Sequence, residues 1–237
     1  MFIDTALRRQ KSFDEMHIFL ILAITLIFAL PTCLQSAMPA MPSTKIIVLN
    51  ITIYACSCAA AVFFCLSNLK ISCAEFFLPT AVCSAWSAIA KGLLYGLAAI
   101  PPVLLLSVLT QALLNALGFQ TQEQMIFEWL ADATCSNATR FFIMFAAVIV
   151  APVIEEAIFR GMLFKTLLKT RTFLFAAGLS GLYFAVIHCS ISDIPSLFLL
   201  GCMFSAGYAQ TASILTPIVM HLMFNLVSLC LYFVLQA

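Results

Sequence analysis

The chain has 237 residues, of which 64% are hydrophobic and only 9% charged, with a mean hydropathy of +1.11 and a formal net charge of +1. A soluble domain averages about 45–50% apolar and about 25% charged residues, so these values exclude one and describe an integral membrane protein. The near-zero net charge leaves no electrostatic footprint for nucleic acid or for a broad anionic partner.

A spanning helix needs about 20 mostly apolar residues. Taken in chain order, segments of that kind fall at 17–36, 46–67, 92–117, 141–164, 174–191, 194–211 and 214–236. The fold class expected is therefore all-α: a polytopic bundle of seven transmembrane helices forming one membrane domain over residues 1–237. Residues 71–90 carry Glu75, Pro79 and Trp86 and read as interfacial or re-entrant, with an eighth span as the alternative. Seven spans place Arg8, Arg9, Lys11, Lys70, Lys91, Lys165, Lys169 and Arg171 on one side and Lys45 and Arg140 on the other. By the positive-inside rule the amino terminus then lies in the cytoplasm. The first segment starts late, behind a head containing Asp14 and Glu15, and is not read as a cleaved signal. Most of the ten cysteines lie in apolar segments and read as small packing residues, Cys189 among them; Cys33 and Cys135 are the two that could meet on the outer face, and no bond between them is expected.

The segment 141–164 holds the chemistry. Its thirteen Phe, Ile, Val and Leu residues favour insertion by roughly 0.5 kcal/mol each, while Glu155, Glu156 and Arg160 oppose it by roughly 3 kcal/mol each. The opposing sum is the larger, so the three charges are expected to face protein or a wet cavity rather than lipid. Glu156 and Arg160 stand at i, i+4 with the acid first, the favourable order for an ion pair. Glu155 points about 100° away and has no partner on its own helix, which marks it as a functional candidate. Pro152 withholds a backbone hydrogen bond just upstream and is expected to kink the helix.

Of the histidines, His17 sits at the mouth of the first span and reads as an interface residue. His188 closes LYFAVIH with Phe184 on its face, and His221 lies in the last segment with Asn225 one turn on. A glutamate and a histidine sharing a water can deprotonate it, and further donors can stabilise the oxyanion that follows. Two histidines and a glutamate are equally a zinc ligand set, although HExxH is missing. The preferred reading needs no cofactor; zinc held by Glu155, His188 and His221 is the alternative.

APVIEEAIFRGMLF (151–164), SGLYFAVIH (180–188) and the stretch 200–225, containing YAQTASILTPIVMHLMFN, carry EExxxR, FxxxH and HxxxN in order on separate segments. Together these resemble the motifs of the CAAX prenyl protease and bacteriocin-processing family. The resemblance covers 141–229 as a catalytic core and leaves 1–140 as unmatched amino-terminal spans. It implies an intramembrane endopeptidase in which Glu155 and His188 activate water, His221 and Asn225 form the oxyanion site, and Glu156 and Arg160 support them. Eukaryotic members trim prenylated CAAX proteins from the cytosolic side, and some bacterial members are linked to bacteriocin maturation or immunity. The implied partners are membrane lipid and a membrane-associated peptide or protein substrate, lipidated or not. Members often carry Thr-Gly where this chain has Thr211-Ala212. Two other readings compete: a catalytically silent scaffold or immunity protein, and a proton-coupled transporter, since intramembrane Glu and His also form proton relays. The implied location is a bacterial inner membrane, or the endoplasmic reticulum for a eukaryotic chain.

Overall fold

The computed structural model of the protein describes residues 44–77, 83–119, 125–132 and 135–236, together with Phe19, Ala23 and Thr25. The first expected span, His17 and Cys33 lie outside these residues. Every described regular element is a helix. They are α1 (Thr44–Asn68), α2 (Cys73–Phe77), α3 (Ala85–Ala116), α4 (Met125–Ala131), α5 (Asn137–Thr170), α6 (Phe173–Val186), α7 (Ile194–Thr211) and α8 (Leu215–Gln236), with a 3-10 turn at Ile191–Asp193 before α7.

Among the described residues, five helices are long and apolar enough to cross a membrane: Val48–Asn68, Ala85–Ala116, Asn137–Thr170, Ile191–Thr211 and Leu215–Leu235. Their outer faces confirm the solvent they are built for. α3 exposes Leu94, Leu97, Leu105, Leu109 and Leu113, a stripe that water would penalise and lipid accepts. Seven spans are not seen among the described residues. Where a fifth span was expected, α6 is only 14 residues long, about 21 Å at 1.5 Å per residue against a hydrocarbon thickness of about 30 Å. α3 begins at Ala85, seven residues before the predicted start at 92, because Ser84 caps it by accepting a hydrogen bond from the Ser87 N–H. The rest of the stretch read as interfacial holds the short helix α2.

α5 is the central element. All eight residues from Ala157 to Phe164 are buried, which suits a helix that is apolar almost all round. One flank of it packs with Cys58, Val62 and Cys65 of α1, the other with Phe184, Leu200, Phe204 and Met220 of α6, α7 and α8. Lipid supplies no hydrophobic drive between helices, so close backbone approach has to hold them together. Glycines provide it. A Cβ at Gly92 would lie 2.7 Å from Val219 Cβ, and one at Gly96 would lie 3.1 Å from Met220 Cα. With Thr216 Oγ1 donating to the Ala88 carbonyl at 3.1 Å, the matched positions rise together, so α3 and α8 run parallel. α6 and α7 meet in the same way at Gly181 and Gly201, where an added Cβ on Gly201 would lie 2.8 Å from Gly181 Cα.

Cys135 is a free thiol, buried against Leu130 and Ile143, in line with the reading that it forms no bond to Cys33. One cysteine expectation needs correction. Cys189, read as an apolar packing residue, is disulfide-bonded; it follows the end of α6 in a left-handed conformation, φ 56°. Ala212, which stands where the resembling family often has glycine, is likewise left-handed at φ 52° and ends α7. A glycine there would avoid the clash of Cβ with the backbone.

Candidate active site

α5 is not a regular helix through its charged stretch. An α-helical start, Asn137–Phe145, passes into a π-helical turn at Ala146–Val150, returns to α over Ala151–Glu156, and widens again to π over Ala157–Phe164. Such turns shift side-chain directions by one residue and recur at functional sites. Here the short α segment between them delivers Glu155 and Glu156.

Glu156 and Arg160 form the expected ion pair, Arg160 Nη1 donating to Glu156 Oε1 at 2.8 Å, with both side chains fully buried. The guanidinium also donates from Nη2 to the Gly201 carbonyl at 2.7 Å. It lies between the rings of Phe159, Phe184 and Phe204, 5.0–5.7 Å from their centroids. Planar, delocalised and weakly hydrated, arginine is the cation suited to such a place.

His221 on α8 stands between the two glutamates. Its Nδ1 is 3.0 Å from Glu156 Oε1, and its Nε2 is 4.0 Å from Glu155 Oε2. Glu156 already accepts from Arg160 and is a carboxylate acceptor, so Nδ1 carries the hydrogen and donates. His188, just beyond the end of α6, is fixed by the same logic. Its Nδ1 is 2.7 Å from the Phe184 carbonyl, which can only accept, and its Nε2 is 4.0 Å from Glu155 Oε2. With a hydrogen on each Nδ1, both rings present Nε2 to Glu155. The early end of α6 makes this possible, because non-helical backbone at membrane depth is tolerated where it is enclosed by protein. Phe184 is the common spacer, its ring 4.7 Å from that of His188 and 5.6 Å from that of His221.

Five of the six predicted residues thus meet: Glu155, Glu156, Arg160, His188 and His221. Asn225 is placed differently. Its Nδ2 donates to the Ala147 carbonyl on α5 at 2.9 Å. The partners that sequence reasoning missed are backbone groups and glycines, namely the Gly201 carbonyl, the Phe184 carbonyl and the Gly181 approach. The small-residue spacing of Gly181 and Gly201 was the available signal for the last of these.

Glu155 Oε2 is buried and has no hydrogen-bond partner among the described residues. The residue types around it suit zinc, but the spacing does not. Bonds of about 2.0–2.2 Å put tetrahedral donors roughly 3.4 Å apart, whereas both imidazole nitrogens are 4.0 Å from the carboxylate oxygen. Among the described residues no group of three His, Cys, Asp or Glu side chains has metal-binding geometry. The spacing suits a water oxygen, which sits about 2.8 Å from each of its partners.

An apolar cavity of about 410 Å³ lies between α1, α4 and the first half of α5. Its wall includes Tyr54, Trp129, Ile143, Ala147, Ala151 and Ile154, so it reaches the turn of α5 that precedes Glu155.

Residues 137–227, which contain all of these site residues, match the profile of the type II CAAX prenyl endopeptidase Rce1-like family. This segment is similar to that family. The chain is similar to the membrane-embedded CAAX protease MroQ of Staphylococcus aureus (strain USA300), 36% identical over 90 residues that cover 35% of this chain and 36% of MroQ. It is also similar to YdiL of Bacillus subtilis (strain 168), named as a candidate membrane peptidase, 36% identical over 77 residues and 32% of each chain. The chain thus spans about a third of the length of the curated relatives it matches. No solved structure matches it. The Rce1-like match begins at the first residue of α5 and ends within α8, so the helices that deliver Glu155, His188 and His221 are those the family shares.

Proposed function

We propose that the protein is an intramembrane endopeptidase that hydrolyses a peptide bond with water held by Glu155, His188 and His221. The observation that carries this is that the Nε2 atoms of His188 and His221 both lie 4.0 Å from the same carboxylate oxygen of Glu155. All three are acceptors, and a water has two hydrogens to give. The trio is therefore satisfied only when the cluster also holds one proton. Charge balance asks for the same thing, since Arg160 and Glu156 cancel and leave Glu155 uncompensated in a buried place.

The chemistry follows from those positions. Glu155 and His188 take a hydrogen from the water as its oxygen bonds to the substrate carbonyl carbon. The imidazolium form of His221, steadied at Nδ1 by Glu156, donates to the oxyanion. The carbon–nitrogen bond then breaks, and the proton removed from water passes to the departing amine. Arg160 touches no substrate in this scheme and holds Glu156 in place. The substrate class is a membrane-associated peptide or protein, lipidated or not, entering from lipid. No step needs a metal.

The test is a comparison of membrane peptidomes from cells carrying wild type and Glu155→Gln, followed by cleavage of the identified peptide by purified protein in liposomes. Loss of a positioned general base is expected to lower the rate by about 10²–10⁴. A Glu155→Gln protein that cleaves as wild type does would remove Glu155 from the mechanism, and one that complements fully while neither protein cleaves anything would return the molecule to a noncatalytic scaffold.

A further inference from the structure

We infer that Asn225 is a positioning residue: its side-chain amide replaces the backbone N–H that Pro152 lacks, and so holds the π-turn from which Glu155 and Glu156 project. The case begins with the main chain of α5. In an α-helix the Ala147 carbonyl would accept from residue 151, and in a π-helix from residue 152. Neither is available. The Ala151 N–H donates to the Ala146 carbonyl, the π-type bond that closes the turn at Ala146–Val150. Position 152 is proline and has no N–H to give.

The Ala147 carbonyl is thus deprived twice, by the register shift and by the proline, in a chain where an unpaired main-chain group costs most. Asn225 Nδ2 donates to it at 2.9 Å from the neighbouring helix. The donor comes from one turn beyond His221, so a single stretch of α8 supplies both the imidazole that touches the glutamates and the amide that fixes the helix carrying them. Glu155 stands three positions after Pro152, less than one turn. If the π-turn relaxed to α, the residues upstream would rotate by about 100° relative to the glutamates, and the seam of α5 on α8 would be lost. A carboxylate that has to meet two imidazoles at once cannot absorb such a rotation. Here Asn225 acts through α5 rather than on the oxyanion.

This inference rests on the peptidase reading only for its effect on rate, and a double-mutant cycle separates the two. The four proteins are wild type, Asn225→Ala, Pro152→Ala and the double variant, each purified in detergent. Replacing Pro152 by alanine restores an N–H that can satisfy the turn in either register. With Pro152 in place, Asn225→Ala should lower kcat by about a hundredfold, the scale of a roughly 1 Å misplacement, with KM little changed. It should also lower the unfolding midpoint by about 3–6 °C. In the Pro152→Ala background the same change should alter kcat by no more than about twofold. Equal losses in both backgrounds, in rate or in midpoint, would overturn the inference and give Asn225 a direct part in the reaction. Should Pro152→Ala fail to fold, Asn225→Leu decides the matter. Its side chain has no polar hydrogen to donate and should be as impaired as Asn225→Ala, so an active Asn225→Leu protein would sink the proposal. If wild type cleaves nothing, the peptidase reading fails, while the unfolding midpoints still test the hydrogen bond.

Discussion

His221 shows how little freedom a single side chain has in this site. One ring nitrogen is held by Glu156 and the other faces Glu155, so its rotation and its tautomer are fixed together. Much of this was readable in the sequence: the i, i+4 spacing gave the Glu156–Arg160 pair, and the lack of a partner on its own helix singled out Glu155. The Gly201 carbonyl was not readable, because what glycine contributes there is the space its missing side chain leaves for Arg160. From this arrangement Arg160→Met is expected to destabilise the protein by about 3–5 kcal/mol, since it strands Glu156 without its cation in a buried place. Adding Glu156→Leu should recover much of that loss in detergent unfolding, while cleavage stays absent. On the proposed metal-free mechanism, dialysis against a chelator should leave cleavage unchanged. Stoichiometric zinc that departs together with activity would contradict this.

Helix placement depends on features that hydropathy averages out. The apolar periodicity located α1, α5, α7 and α8 well, because lipid-facing and buried residues are equally apolar and the runs are long. It overran α6, where no Pro or Gly marks the stop and the chain instead turns through left-handed Cys189. It started α3 late, because the cap at Ser84 lies inside a stretch whose polar residues looked interfacial. The glycines make the most direct test at this scale. Gly201→Ala would press on Gly181 Cα and Arg160 Nη2 and should cost about 1–3 kcal/mol together with most of the activity. Gly178→Ala meets nothing within 4 Å and should be neutral or raise stability by up to about 1 kcal/mol, as expected for alanine in a helix. Thermal unfolding of the two variants side by side, with cleavage rates, checks both.

The molecule as a whole is oriented by where its few charges lie on α5. Arg140 is at the start of this helix, and Lys165, Lys169 and Arg171 are at its end, with Phe76 of α2 packed beside Gly161 on the way. Cysteines substituted at Lys169 and at Thr139 in intact cells should therefore differ: the second should react with a membrane-impermeant maleimide added outside, and the first only after lysis. The opposite pattern would invert the topology. The buried Glu156–Arg160–Gly201 connection also limits the mutational routes open to descendants of this chain. Changing either charged partner alone costs about 3–5 kcal/mol, a large share of the 5–15 kcal/mol that typically separates folded from unfolded, whereas Glu155 has no such tie. On the proposed peptidase reading, a lineage that abandoned hydrolysis would drop Glu155 first and keep the arginine pair, so an inactive cousin would still look, over most of its motif, like a working enzyme.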